Sequence, residues 1–281
     1  MSVDVANPKS DRVRSVRALA QASVRSRRDQ FLVEGPQGVR EAVRFAAEQV
    51  RDVYLTPDAD ERHPEIARGA REAGLYVHLT TPEALAAMSE DAQGVLAVLQ
   101  RQKAIEPDHL LARTPRLVAL LHQVRDPGNA GTVIRAADAA GADACILTHG
   151  SVDVHNPKVV RSTVGSLFHL PTGTGADLAA TIQAARAAGM QVLAADGAGA
   201  LDLDDLADRA ESHADSEPES TVPTLAQPTL WLFGNEAHGL GTTERDMADA
   251  VVRIPIHGHA ESLNLAMAAT ICLYASARAQ R

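Results

Sequence analysis

The chain has 281 residues, 45% of them apolar and 22% charged, with a formal net charge of -9. That composition can bury the core of one large or two ordinary domains and excludes collagenous, disordered and disulfide-framework classes for the bulk of the chain. No apolar run approaches the roughly 18 residues of a membrane span, and the polar start Met1-Ser-Val-Asp-Val-Ala-Asn-Pro-Lys lacks a signal peptide's apolar stretch, so a cytoplasmic protein is expected.

Asn7-Pro8 delays regular structure until Asp11, after which Val13, Val16, Leu19 and Ala20, at spacings of three and four, predict a helix over 12–22. Between Lys9 and Arg28, seven basic residues (Lys9, Arg12, Arg14, Arg17, Arg25, Arg27 and Arg28) stand against Asp11 alone, a local charge of +6. A solvated helix face is the commoner fate of such residues, but this density points to a surface that contacts phosphates. Strands are predicted at 31–33, 52–56, 76–79 and 95–99, with helices at 38–49, 64–72 and 82–88 between them. This is a compact α/β domain over 1–100. The polar stretch 101–115, with two prolines, reads as a linker.

A second alternation follows over 116–281. Leu117–Leu121, Ala144–Leu147, Gln191–Ala195, Leu230–Phe233 and Val251–Ile256 are continuous apolar runs, suited to a parallel sheet buried on both faces. Helices fit at 132–140, 177–188 and 262–279. The stretch 201–222 carries eight acids against Arg209, a local charge of -7 that leaves only -2 for the rest of the chain. Few large apolar residues interrupt its acids, so it reads as a mobile surface insertion. Cys145 and Cys272 sit in apolar surroundings and read as reduced core residues.

Three clusters at the C-terminal ends of predicted strands can carry chemistry, since open α/β sheets place their ligands there. In the first, His122 to Ala137, Gly128 and Gly131 permit a tight turn, Asn129 or Thr132 can cap the next helix, and Arg135 lies one turn further on. The second, Leu232-Phe-Gly234-Asn-Glu236-Ala-His-Gly239-Leu-Gly241, suggests backbone wrapped against a ligand, with Glu236 at its edge or paired with Arg135 or Arg125. The third runs from Ile254-Pro-Ile to Ser262-Leu-Asn264-Leu265, with Ser262 or Glu261 as a helix cap beside a donor-rich N-terminus. His257 and His259 have no third ligand at a diagnostic spacing and read as loop histidines, so no metal is expected. The phosphate-loop and nucleophile-elbow patterns are absent.

Taken in order, Asp126-Pro-Gly-Asn-Ala-Gly-Thr-Val-Ile-Arg135, Phe233-Gly-Asn-Glu236, and Ile254-Pro-Ile through Ser262-Leu-Asn264 resemble the three signature motifs of the SpoU (TrmH-like) family. Its members are S-adenosylmethionine-dependent RNA ribose 2'-O-methyltransferases of the SPOUT class. Lys158 to Pro171 looks like the family's segment between the first two motifs. Asn7-Pro8, the basic helix and Phe31-Leu-Val-Glu34-Gly35 are similar to the substrate-binding domain of many members. Nearly the whole chain except 201–222 is covered.

The resemblance implies an α/β fold in which a small RNA-binding domain precedes a C-terminal parallel sheet with a trefoil knot, and it implies a homodimer. S-adenosylmethionine would be held in the knot largely by backbone, with Gly234, Ile254 and Leu263, joined by Leu232 and Pro255, as contacts. Arg135 would be the key catalytic residue, Asn129 would orient it or the ribose, Ser262 and Asn264 would shape the pocket, and Glu236 or water would take the proton. A guanidinium is not itself a plausible base. Ribosomal RNA is the expected substrate. A tRNA ribose methyltransferase and a catalytically inactive RNA-binding protein of the same fold stay open, whereas a nucleotide-dependent oxidoreductase has only the α/β pattern behind it.

Overall fold

The computed structural model describes residues 3–102, 105–212 and 222–281. Contacts divide the chain into two compact units, Met1–Lys103 with Asp153–His169, and Ala104–Val152 with Leu170–Arg281.

The first unit begins with α1 (Asp11–Arg17) and α2 (Ala22–Arg28). They are separate because Gln21 is extended at φ -87 and ψ 129, so the single helix expected over 12–22 is in fact two. Then come β1 (Gln30–Glu34), α3 (Pro36–Phe45), β2 (Val50–Leu55), α4 (Pro57–Arg62), α5 (Pro64–Glu72), β3 (Tyr76–Leu79), α6 (Pro82–Met88) and β4 (Val95–Gln100). Proline opens α3, α4, α5 and α6, where its missing N–H loses no bond. The sheet order is β1-β4-β2-β3, antiparallel except for the β2–β3 pair. Strand alternation splits the core. Phe31, Val33, Val53, Val95 and Leu99 pack with Val39 and Ile66 on one face, while Leu32, Tyr54, Leu96 and Val98 pack with Val13, Val16, Leu19 and Leu85 on the other.

The second unit starts with α7 (Pro107–Leu111), whose Leu110 and Leu111 are buried. The expected linker therefore holds a packed helical turn, because those two leucines have a core to enter. Next are β5 (Leu117–Leu121), α8 (Pro127–Ala140) and β6 (Ala144–Thr148); α9 (Pro157–Thr163) counts with the first unit. The chain continues through β7 (Thr172–Ala176), α10 (Leu178–Ala187), β8 (Gln191–Ala195), β9 (Leu201–Asp202), α11 (Leu203–Ser212), β10 (Thr229–Phe233), α12 (Thr242–Asp246), β11 (Ala250–Arg253) and α13 (Leu265–Ala279). Cys145 and Cys272 are both free and buried.

The expectation of a mobile acidic insertion does not hold for 201–212; residues 213–221 lie outside the described residues. Leu203 and Leu206 are buried one turn apart, and Asp202 and Glu211 pair with Arg253 and Arg278 at 3.1 and 2.6 Å. Reading the stretch by charge alone hid this amphipathic period.

Among the described residues the strands of this unit form one parallel sheet in the order β7-β6-β5-β10-β8-β11-β9. Val252 of β11 pairs with Ala195 of β8 on one side and with Leu201 of β9 on the other. Residues 196–200 therefore cross over β11, a strand that comes later in the chain. Gly199 makes the crossing possible, since a Cβ there would lie 2.6 to 2.8 Å from backbone atoms of Arg253, Val252 and Val251.

Candidate functional site

The site lies at the C-terminal ends of β5 and β10, which are paired so that Leu121 faces Phe233 and His122 N–H donates to the Phe233 carbonyl at 2.8 Å. The first two motif loops thus leave the sheet side by side. α13 packs against α8 and is fixed to the sheet by the buried Trp231 Nε1–H, which donates to Ser276 Oγ at 2.8 Å. This docking brings the third motif to the first.

The helix caps differ from those expected. Asp126 caps α8, its Oδ1 accepting from Asn129 N–H at 2.8 Å, and places Asn129 inside the first turn. Pro127 can start the helix one residue after the cap, so Gly128 and Gly131 are helical residues instead of turn residues. Asn264 caps α13 by accepting from Ala266 and Met267 N–H groups, whereas Ser262 is exposed and takes no part in the cap.

Capping occupies only the Asn264 amide oxygen, and the Asn129 amide caps nothing, so both side chains can bridge the motifs. Asn264 Nδ2 donates to Asn129 Oδ1 at 3.0 Å, and Asn129 Nδ2 donates to Glu236 Oε1 at 3.3 Å. Glu236 also accepts the Asp126 and Arg125 backbone N–H groups at 3.2 and 3.3 Å. Its carboxylate holds the Arg125–Asp126 turn by main-chain bonds, not by pairing with either arginine's side chain. With three donors on its oxygens, Glu236 is a strut. The geometry does not favour it as the proton acceptor.

Arg135 is exposed on α8 and makes no hydrogen bond or ion pair among the described residues. It shares a helix face with Gly128, Gly131 and Thr132, so nothing bulky but Thr132 stands between its head and the first turn. The second motif closes on itself: Asn235 and Gly239 exchange backbone bonds at 3.2 and 2.8 Å, and Asn235 Nδ2 donates to the Gln123 carbonyl at 2.7 Å. The role of Asn235 was not anticipated, although an Asn after Gly is a turn signal. Gly234 is buried at this closure, where a Cβ would meet Gly239 and Leu240 backbone atoms at 2.5 to 2.7 Å. The side chain of Leu232 is wholly buried in the core at β10. Behind the site, burial lowers the pKa of His122, which lies 4.0 Å from Glu244.

Residues 254–263 form no backbone hydrogen bonds among the described residues. Ile254 and Pro255 are half-buried, and Ile256 and Leu263 are each 39% exposed. Unpaired main-chain donors and acceptors beside apolar side chains suit a ligand with a purine's polar edge and hydrophobic faces, and S-adenosylmethionine carries such a group.

Of the seven basic residues expected to meet RNA, Lys9, Arg12, Arg14, Arg17, Arg27 and Arg28 are exposed. Arg25 is not. It is 2% exposed, donates to the Leu19 and Ala20 carbonyls, and pairs with Asp153 at 2.7 Å, so it is a structural residue. Position in a basic run could not reveal that its side chain folds inward. Burial opposes ionisation of Asp153, yet contacts from His155 and Arg25 outweigh it and hold the carboxyl below its ordinary range. Asp153→Asn should therefore lower stability at pH 7 by about 3 kcal/mol, as a buried charge loses its partner. In the parent protein this contribution is complete above the unfolded pKa of about 3.9 and fades as pH falls toward the folded value. Urea unfolding across pH checks both; a variant as stable as the parent at pH 7 would show the pair to be inert.

Residues 116–274 match the SpoU rRNA Methylase family, and residues 32–104 match the description "RNA 2'-O ribose methyltransferase substrate binding". The 23S rRNA (guanosine(2553)-2'-O)-methyltransferase RlmP of Bacillus subtilis is 30% identical over 96% of this chain and 97% of its own. The 23S rRNA (uridine(2479)-2'-O)-methyltransferase of Streptomyces viridochromogenes is 32% identical over 92% and 86%. An AdoMet-bound rRNA methyltransferase from Sinorhizobium meliloti superposes with a TM-score of 0.79 at 28% identity, covering 98% of this chain and 97% of its own. The overall fold is thus shared with an rRNA methyltransferase that binds AdoMet.

Proposed function

The chain belongs to the SpoU rRNA methylase family, and from that premise we propose how its residues divide the work of ribose methylation. It is an S-adenosylmethionine-dependent RNA 2'-O-methyltransferase acting on ribosomal RNA. When bound, S-adenosylmethionine supplies a methyl group activated by its sulfonium. The chain's own residues must align the ribose hydroxyl in line with that methyl and support the charge that grows on oxygen.

The observation that carries the assignment is the Asn264–Asn129–Glu236 chain of hydrogen bonds, which ties all three motifs into one frame. These three are positioning residues. Arg135, on the helix that the frame anchors, is the catalytic cation. It stays protonated, lowers the pKa of the hydroxyl, steadies the alkoxide and grips the neighbouring phosphate. The proton leaves to water, because Glu236 is already engaged. Gly234 keeps the second loop closed, and Ile254, Pro255 and Leu263 line the cofactor, with Ser262 at the rim.

The segment 1–100 delivers the RNA through its exposed basic residues, and 116–281 performs the chemistry. The relatives' names give a guanosine and a uridine in 23S rRNA, as a reaction at ribose permits, so 23S rRNA is the proposed target class. No described helix is long and apolar enough to cross a membrane, and a ribosomal RNA substrate supports the reading of a cytoplasmic protein. The decisive experiment incubates the protein and cofactor with deproteinised ribosomal RNA or with transfer RNA and maps 2'-O-methyl groups by reverse-transcription stops. A new site in ribosomal RNA, absent with Arg135→Ala, is expected; methylation of transfer RNA alone would overturn the substrate assignment.

The active form is proposed to be a homodimer. Met267, Ile271 and Tyr274 are 64%, 42% and 47% exposed and recur at i, i+4 and i+7 on α13, an apolar stripe of the kind a partner covers. Ile271→Asp should yield a monomer in sedimentation analysis, and a parent protein that is already monomeric at micromolar concentration would refute the dimer.

A further inference from the structure

At the edge of the first unit's sheet, an open groove of about 360 Å³ is lined by Val50, Arg51, Asp52, Gly74, Leu75 and Tyr76. Tyr76 is 73% exposed, the most exposed large hydrophobic side chain among the described residues, and it contributes nothing to either core cluster of its unit. Strand pairing puts it opposite Asp52, and β3 is the edge strand. The pairing of β2 with β4 shifts between Val50 and Asp52, so Arg51 is the extra residue of a bulge. A bulge re-aims a side chain, and here the exposed Arg51 reaches Gln100 Oε1 at 3.3 Å beside the groove.

A second cation is held close by. Arg12 Nη1 lies 3.2 Å from His78 Nδ1 and 3.5 Å from its Nε2, so the guanidinium rests over the imidazole ring, and His78 Nε2 is hydrogen-bonded to Asp52 Oδ1 at 2.8 Å. His78 is itself stacked on the buried Tyr54, with ring centroids 5.0 Å apart. Asp52, His78 and Tyr54 thus fix Arg12 on the face of the sheet that carries Tyr76. A bare aromatic ring with one arginine in its groove and a second on the same face of the sheet matches the requirements of a single-stranded nucleotide, whose base has a π-face to stack and whose phosphates need cations.

We propose that this groove binds an unpaired nucleotide of the RNA substrate, with its base stacked on Tyr76 and its flanking phosphates held by Arg51 and Arg12. The inference rests on the RNA-methyltransferase reading above and deepens it by naming where a looped-out base is gripped. Tyr76 and Arg51 act in recognition and not in the chemical step.

The test uses the full chain, S-adenosylmethionine and the ribosomal RNA fragment that the parent protein methylates. Tyr76→Ala should raise KM for RNA about tenfold, roughly 1.4 kcal/mol, leaving kcat and the affinity for cofactor unchanged. Tyr76→Phe should behave as the parent protein, because stacking needs the ring and not the hydroxyl. Arg51→Gln should make log KM less steep in log salt by roughly 0.7, one single-strand phosphate contact, whereas Tyr76→Ala should leave that slope alone. A KM within twofold of the parent for Tyr76→Ala would overturn the proposal, as would Tyr76→Phe being equally impaired. So would a defect confined to assembled ribosomal particles, which would make the groove a protein contact. If the parent protein methylates no RNA, the methyltransferase reading is what fails.

Discussion

Arg135→Lys is expected to lower kcat about a hundredfold to a thousandfold while the dissociation constant for S-adenosylmethionine stays within about twofold. Lysine keeps the positive charge but loses the planar fork that can hold an alkoxide and a phosphate oxygen together. The loss corresponds to about 2.7–4 kcal/mol of transition-state stabilisation, in the range for removing one preorganised donor. The structure makes this experiment clean, because Arg135 is exposed and has no hydrogen-bond or ion-pair partner among the described residues. Nothing in the fold is broken by changing it, so a fall in turnover reports chemistry. Single-turnover methylation and calorimetry give the two numbers, and a Lys variant with the parent kcat would remove Arg135 from the reaction.

Gly234→Ala is expected to weaken cofactor binding by at least about a hundredfold, about 2.7 kcal/mol in calorimetry. One methyl group is enough because the Cβ would sit 2.5 Å from the Gly239 carbonyl and 2.7 Å from Leu240 N. Those neighbours are backbone, so no side chain can swing away. The glycine is required by this close approach, since its φ is not among the positive ones. Opening the return would carry off Asn235 and Glu236, and with Glu236 the support of the Arg125–Asp126 turn and of Asn129. Gly197→Ala is the matched control, since a Cβ there has no neighbour within 4 Å. Equal affinities for the two variants would show that the closed loop does not shape the cofactor site.

The site was legible to different depths at different residues. Glu236 and Asn264 could be selected from motif order, and the frame they form with Asn129 accounts for their place in the chain. Arg25 departs from its basic neighbours because successive residues of a helix point in different directions, and those of a strand alternate likewise. Leu232 faces the core and Arg25 turns inward to Asp153. The caps lie two to six residues from the expected ones because Ser262, Asn129 and Thr132 are cap formers like Asp126 and Asn264, and only the helix start decides between them.

By itself the amino-acid order determined the alternation of strands and helices, the parallel character of the second sheet and the three loops that carry the chemistry. These are written in local periodicity and in the residue types that end strands, and both act over a few residues. Tertiary structure alone decided the crossing of 196–200 over β11, the pairing of β9 with β11 and the bond between Asn129 and Asn264. Each depends on which segments lie side by side after folding, a matter of contacts between residues tens to more than a hundred positions apart, on which local propensity has no bearing.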